Sequence, residues 1–148
     1  MKGKTTIMNM GRVLAIDYGT KRVGLATAWA GLAEPLKVIQ NDGTNALYAT
    51  LQAVIEEIRP ELIVVGLSEN EMAEQTRTFV KNLKEYLWQS MEAVPEFVFT
   101  DETLSSAEVQ RKLKEAGHRD LRQEMIDHYA AAQFLQEYLD LHQSSESQ

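Results

Sequence analysis

Two short apolar runs, Arg12-Val13-Leu14-Ala15-Ile16 and Leu62-Ile63-Val64-Val65-Gly66-Leu67, constrain the fold of this chain more than any other feature. Neither alternates apolar with polar residues, so each reads as a strand buried on both faces. Between them Leu47, Leu51, Val54, Ile55 and Ile58 recur at helical spacing, Thr44 can cap that helix, and Pro60 lies just past its end. A helix that joins two such strands is a crossover unit, so the two strands run parallel.

The remaining elements assemble around that unit. Val23 to Trp29 and Leu36 to Ile39 read as strands, set off by Gly19 and by the stretch from Gly31 to Pro35, and such short connections imply an antiparallel meander. Phe79, Leu83 and Leu87 mark a second helix, and Phe97-Val98-Phe99 a fifth strand. Ser105 and Glu108 have the spacing of a capping box, Gly117 would close the helix they begin, and a last long helix runs from about Leu121 to Leu141. Residues 142–148 form a polar tail expected to stay disordered. The expected fold is α/β: one domain over residues 1–141, with a mixed five-stranded sheet of order 3-2-1-4-5 and helices on both faces. In that order the C-terminal ends of the first and fourth strands lie side by side, a natural place for a site.

The chain has 148 residues and no cysteine, so thiolate metal sites are excluded and oxygen ligands become the default for any cation. No run resembles a signal peptide or a membrane span, and a cytoplasmic protein without a membrane partner is expected. A net charge of −7 argues against coating nucleic acid by bulk electrostatics, so any such contact needs a local basic patch. Arg111, Lys112, Lys114, Arg119 and Arg122, facing only Glu115 and Asp120, form one. Glu56, Glu57, Glu61, Glu69, Glu71 and Glu74, against Arg59 alone, form the acidic counterpart. The plain reading of either cluster by itself is a solvated helix face.

Three acidic positions stand out. Asp17 follows the first strand and precedes Tyr18-Gly19-Thr20-Lys21-Arg22, which sets a carboxylate and two cations in one tight turn. Asp101 and Glu102 follow the fifth strand, where either could begin a turn or favour the next helix electrostatically. Asp127 lies inside a helix, one turn before Ala130 and Ala131 and two turns before Phe134 and Leu135. A carboxylate on that apolar side needs a partner or a cation. The topology draws all three positions to one sheet edge, where their mutual repulsion would be relieved by Mg²⁺. A pair of such ions about 3.5–4 Å apart would suit phosphodiester hydrolysis.

With these residues in view, the chain from Val13 to Leu139 resembles the YqgF/RuvX family, RNase H-like proteins described as Holliday-junction resolvases and as pre-16S rRNA nucleases. The resemblance rests on Ala15-Ile16-Asp17-Tyr18-Gly19-Thr20-Lys21-Arg22-Val23-Gly24, Ile63-Val64-Val65-Gly66-Leu67, Asp101-Glu102-Thr103-Leu104-Ser105-Ser106 and Ile126-Asp127-His128-Tyr129-Ala130-Ala131. It implies an RNase H-like fold and a hydrolase dependent on Mg²⁺ or Mn²⁺, with Asp17, Glu102 and Asp127 as catalytic residues and metal ligands. Thr20, Lys21, Arg22, Arg119 and Arg122 would contact nucleic acid. The implied substrate is precursor rRNA at the 5′ end of 16S, free or in ribosomal particles, for a monomer or a homodimer. A DNA resolvase and a catalytically silent RNA-associated module with the same fold are the alternatives. Three departures bear on substrate handling: Ser68 replaces a proline, the Glu69 to Thr76 stretch is shorter and acidic, and Thr103 replaces an arginine. Asp17-Tyr18-Gly19-Thr20 also resembles the phosphate loop of actin- and hexokinase-type ATPases, but those bind nucleotide between two lobes and this chain has residues for one.

Overall fold

The structure, a computed structural model, describes residues 11–43, 45–68, 71–101, 111, 114, 115, 117 and 123–146, with side chains of the last helix described at residues 126 and 128–142. The elements in chain order are β1 (Val13–Tyr18), β2 (Arg22–Trp29), β3 (Leu32–Gln40), α1 (Asn45–Ile58), β4 (Leu62–Leu67), α2 (Glu71–Ser90), β5 (Glu96–Asp101) and α3 (Gln123–Glu146). The five strands form one sheet in the order β3-β2-β1-β4-β5. The meander pairs antiparallel, while β1–β4 and β4–β5 pair parallel, so the expected crossover is present.

Strand alternation divides the core into two layers. Leu14, Ile16, Val23, Leu25, Ile63 and Val65 pack under α1 and α2, against Leu47, Leu51, Val54, Ile55, Phe79, Val80, Leu83 and Leu87. The opposite parity, Val13, Ala15, Ala26, Ala28, Leu62 and Val64, packs under α3 against Ala131, Phe134, Leu135 and Leu139. The small sheet residues on that side let α3 lie close, and Phe134 and Leu135 fill the space between.

Three boundaries differ from the sequence expectation, each for a local reason. β3 begins at Leu32, so Ala33 to Pro35 are strand and not connection. The β2–β3 hairpin turns on Ala30 and Gly31 alone, with φ of 55° and 85°, the primed geometry that matches strand twist. Pro35 is tolerated because β3 is an edge strand and the register shifts opposite Leu25/Ala26. β5 extends to Asp101, which is therefore the strand's last residue, not part of the exit. α3 continues to Glu146, beyond Leu141 and through most of the expected tail, since no Gly or Pro follows to stop it. Near that end His142 reaches back along the helix, its Nδ1 2.8 Å from the Tyr138 carbonyl. The Thr44 cap and the Ser105/Glu108 capping box lie outside the described residues, whereas Gly117 has φ 94° and donates to the Lys114 carbonyl, as a helix-closing glycine does.

Gln136 ties α3 to the hairpin. Its Oε1 accepts from the Ala33 amide at 2.9 Å, and its Nε2 donates to the Gly31 carbonyl at 3.0 Å. Replacing Gln136 with Leu should cost about 1–3 kcal/mol, because two part-buried backbone groups lose their partner. Chemical denaturation checks this, and an unchanged midpoint would show that water replaces the amide without loss.

Candidate active site

Asp17 is the penultimate residue of β1 and is partly buried. It has the parity of Val13 and Ala15, so it lies on the α3 side of the sheet, while Tyr18 packs on the other side and stacks on Phe79 with ring centroids 4.3 Å apart. Across β2 the residue opposite Asp17 is Gly24. On β4, Gly66 follows the Ile16–Val65 pair and shares the parity of Val64. Among the described residues, Asp17 is thus flanked on the α3 side of the sheet by two residues without side chains. Thr100 of β5, paired with Gly66 and sharing the parity of Val98, completes that row.

One point of α3 is fixed against the sheet by Gln136. Ala33, which Gln136 holds, is opposite Ala28, and Ala28 is opposite Val13, so residue 136 lies level with the start of β1. Asp127 precedes Gln136 by nine residues, about 13 Å of helix, and Asp17 follows Val13 by four residues, about 13 Å of strand. The two spans match, so an α3 that runs back along β1 from that anchor brings residue 127 level with Asp17, on the α3 side of the sheet. Buried Ile126, Ala130 and Ala131 seat that turn of helix on the sheet.

Glu102 and the side chain of Asp127 lie outside the described residues, as do Arg119 and Arg122. Asp101, by contrast, has the parity of Phe97 and so faces the α1/α2 side, away from Asp17. Among the described residues no group of three potential ligands gathers, and only one member of the expected triad has a described side chain.

The turn after Asp17 is closely determined. A Cβ on Gly19 would stand 2.5 Å from the Arg22 carbonyl oxygen, closer than such atoms approach, so glycine is required there. Asn41, just beyond β3, donates from Nδ2 to the Gly19 carbonyl at 2.7 Å and from its backbone amide to the Lys21 carbonyl at 2.9 Å. The sequence reading missed Asn41, since nothing in its local pattern links it to a turn some twenty residues earlier. Thr20 and Lys21 are exposed and Arg22 is partly so. The described part of the basic segment is less available: Arg111 pairs with Glu115 at 3.2 Å, an exposed contact of small energetic weight. The described members of the acidic cluster, Glu56, Glu57, Glu61, Glu71 and Glu74, are all exposed, as the solvated-face reading expects. Glu71 and Glu74 also sit in the first turn of α2, where negative charge is favoured.

No described helix is long and apolar enough to cross a membrane. A family model described as "RuvX: Holliday junction resolvase" matches residues 11–141. Proteins named "Putative pre-16S rRNA nuclease" from Thiobacillus denitrificans and Methylobacillus flagellatus are 37% and 34% identical to the chain, over 88% of it in both cases, and 92% and 91% of their own lengths are covered. In fold, the chain is similar to Thermus thermophilus RuvC in complex with a Holliday junction substrate, with a TM-score of 0.59 at 16% identity, covering 88% of this chain and 96% of that one. It is also similar to the yeast mitochondrial Holliday junction resolvase Ydc2, with a TM-score of 0.53 at 12% identity, covering 92% and 83%. The expected RNase H-like architecture is thereby established, sheet order included.

Proposed function

The chain belongs to the RuvX family, and on that premise we propose that it is a nuclease that hydrolyses phosphodiester bonds in precursor rRNA, maturing the 5′ end of 16S. The observation that carries this reading is the match with pre-16S nuclease relatives over 88% of the chain, beside a family match over residues 11–141 that takes in Asp17. Asp17, Glu102 and Asp127 are the proposed catalytic carboxylates. Support comes from the parity of Asp17, which lies on the side of the sheet that α3 covers; the parity of Asp101 argues that Glu102, not Asp101, is the partner from the β5 side.

A divalent ion fits this donor set. The chain has no thiolate to select a softer metal, its proposed ligands are all carboxylate oxygens, and glycines stand beside Asp17 on both neighbouring strands. Asp17, Glu102 and Asp127 would hold Mg²⁺ or Mn²⁺, which when bound would activate water and stabilise the leaving oxygen of a phosphodiester. The chain's own part is to supply the carboxylates and to keep side chains off the strip where the scissile phosphate approaches. Thr20, Lys21 and Arg22 extend from the same strand end and are proposed to track the nucleic-acid backbone, with Arg119 and Arg122 continuing that surface. The soluble partner implied is precursor rRNA, free or within ribosomal particles.

The family description also names a Holliday junction resolvase, which keeps branched DNA as a second substrate reading. Depletion in cells separates the two. The pre-16S reading expects 16S precursors extended at the 5′ end to accumulate and to disappear when the wild-type protein is restored. Normal 16S 5′ ends in depleted cells, with four-way DNA junctions cut by the purified protein, would transfer the assignment to DNA.

A further inference from the structure

Asn41 does more than end β3. Its side-chain amide and its backbone amide take the carbonyls of Gly19 and Lys21, the first and third residues of the β1–β2 turn. Its own carboxamide is fixed in turn, because Oδ1 accepts from the Gly43 amide at 3.0 Å and Gly43 adopts a φ of 71°. One residue therefore sets two of the peptide planes after Asp17, its partly buried side chain the one after Gly19 and its backbone amide the one after Lys21.

The consequence follows from peptide planarity. A trans peptide holds its C=O and N–H on opposite sides, so drawing the Gly19 carbonyl to Asn41 turns the Thr20 amide away from it. Gly19 cannot relieve the constraint by accepting a side chain, since the Arg22 carbonyl occupies that space. Thr20 and Lys21 are left exposed on a turn whose backbone is held from behind.

We propose that Asn41 is a positioning residue for nucleic-acid binding: it holds the β1–β2 turn so that the Thr20 amide and the Lys21 ammonium meet a backbone phosphate together. This rests on the reading of Thr20 to Arg22 as a nucleic-acid contact. Asn41 itself touches no substrate; its effect on binding comes through the turn. Without it the turn samples other peptide orientations, and binding must bear the cost of ordering them.

The test measures binding of a fluorescein-labelled single-stranded RNA by the full chain in EDTA at 10 °C over a series of KCl concentrations. The variants are Asn41→Ala, Asn41→Ser and Lys21→Ala, each checked for folding by its thermal melt. Serine keeps a hydroxyl able to accept from Gly43 but too short to reach Gly19, so it isolates the clamp from the local turn. Both Asn41 variants should bind about tenfold more weakly at every salt concentration, as expected for loss of the hydrogen bond to Gly19 that both share and of its ordering, with an unchanged salt slope because no cation is removed. Lys21→Ala should flatten that slope by about one unit. A merely structural Asn41 would lower the melting temperature and leave affinity at 10 °C intact. Wild-type affinity in both Asn41 variants beside a defective Lys21→Ala overturns the proposal and leaves the turn as a contact. Wild-type affinity in Lys21→Ala as well removes the turn from the binding face and the proposal with it.

Discussion

Replacing Asp17 with Asn should lower cleavage on the order of a thousandfold while leaving the fold in place. The side chain keeps its size, and Asp17 is only partly buried at a strand end flanked by Gly24 and Gly66, so nothing has to repack. The change in stability without metal should stay within about 1 kcal/mol, and removal of one carboxylate from an acidic group can raise it. Activity responds differently, because a neutral amide holds a divalent ion far less well and several kcal/mol of transition-state stabilisation depend on that ion. Parallel measurement of RNA cleavage in Mg²⁺ and of thermal melting in EDTA separates the two effects. A variant that melts early and cleaves in proportion to its folded fraction would make Asp17 structural.

The second large effect is expected in the core. Phe134 is fully buried under a sheet face made of Val13, Ala15, Ala26 and Ala28, whose short side chains cannot extend into a vacated space. Phe134→Ala should therefore cost about 3–5 kcal/mol, close to the upper end for such truncations. For a domain of this size that is a loss of roughly 10 °C or more in melting temperature. Because the same cluster seats the start of α3, residual activity at low temperature should fall further than the folded fraction predicts. An unfolding midpoint within a degree of wild type would mean that α3 is not the lid of this layer.

Much of this architecture is legible in the sequence because it follows from local pattern. The unalternating runs at Val13 and Leu62 and the helical spacing from Leu47 to Ile55 dictate a crossover, and the parallel β1–β4 pair bears this out. Short connections dictate the meander. The misread boundaries have separate causes. Pro35 signals a break until β3 is known to be an edge strand opposite a register shift. The polar residues after Leu141 suggest a free tail, yet no breaker interrupts the helix and His142 reaches back to Tyr138. The site divides in the same way. Asp17 is visible as a carboxylate ending a buried strand, but its two glycine neighbours come from β2 and β4 and only the register unites them. Asn41 is invisible for the same reason, since the turn it clamps joins β1 to β2 and only the pairing of β2 with β3 brings it near.

The central claim, that this chain is a nuclease whose carboxylates act through a divalent ion, is tested most directly by incubating the purified wild-type protein with a 5′-extended 16S precursor RNA in EDTA, Mg²⁺, Mn²⁺ or Ca²⁺. Mg²⁺ needs octahedral oxygen ligands and keeps several waters, whereas Ca²⁺ accepts more ligands in looser geometry. Cleavage is therefore expected with Mg²⁺ and Mn²⁺, little with Ca²⁺ despite binding, and none in EDTA. Equal cleavage in EDTA and Mg²⁺, or none under any of these conditions from a folded protein that binds the RNA, would contradict it.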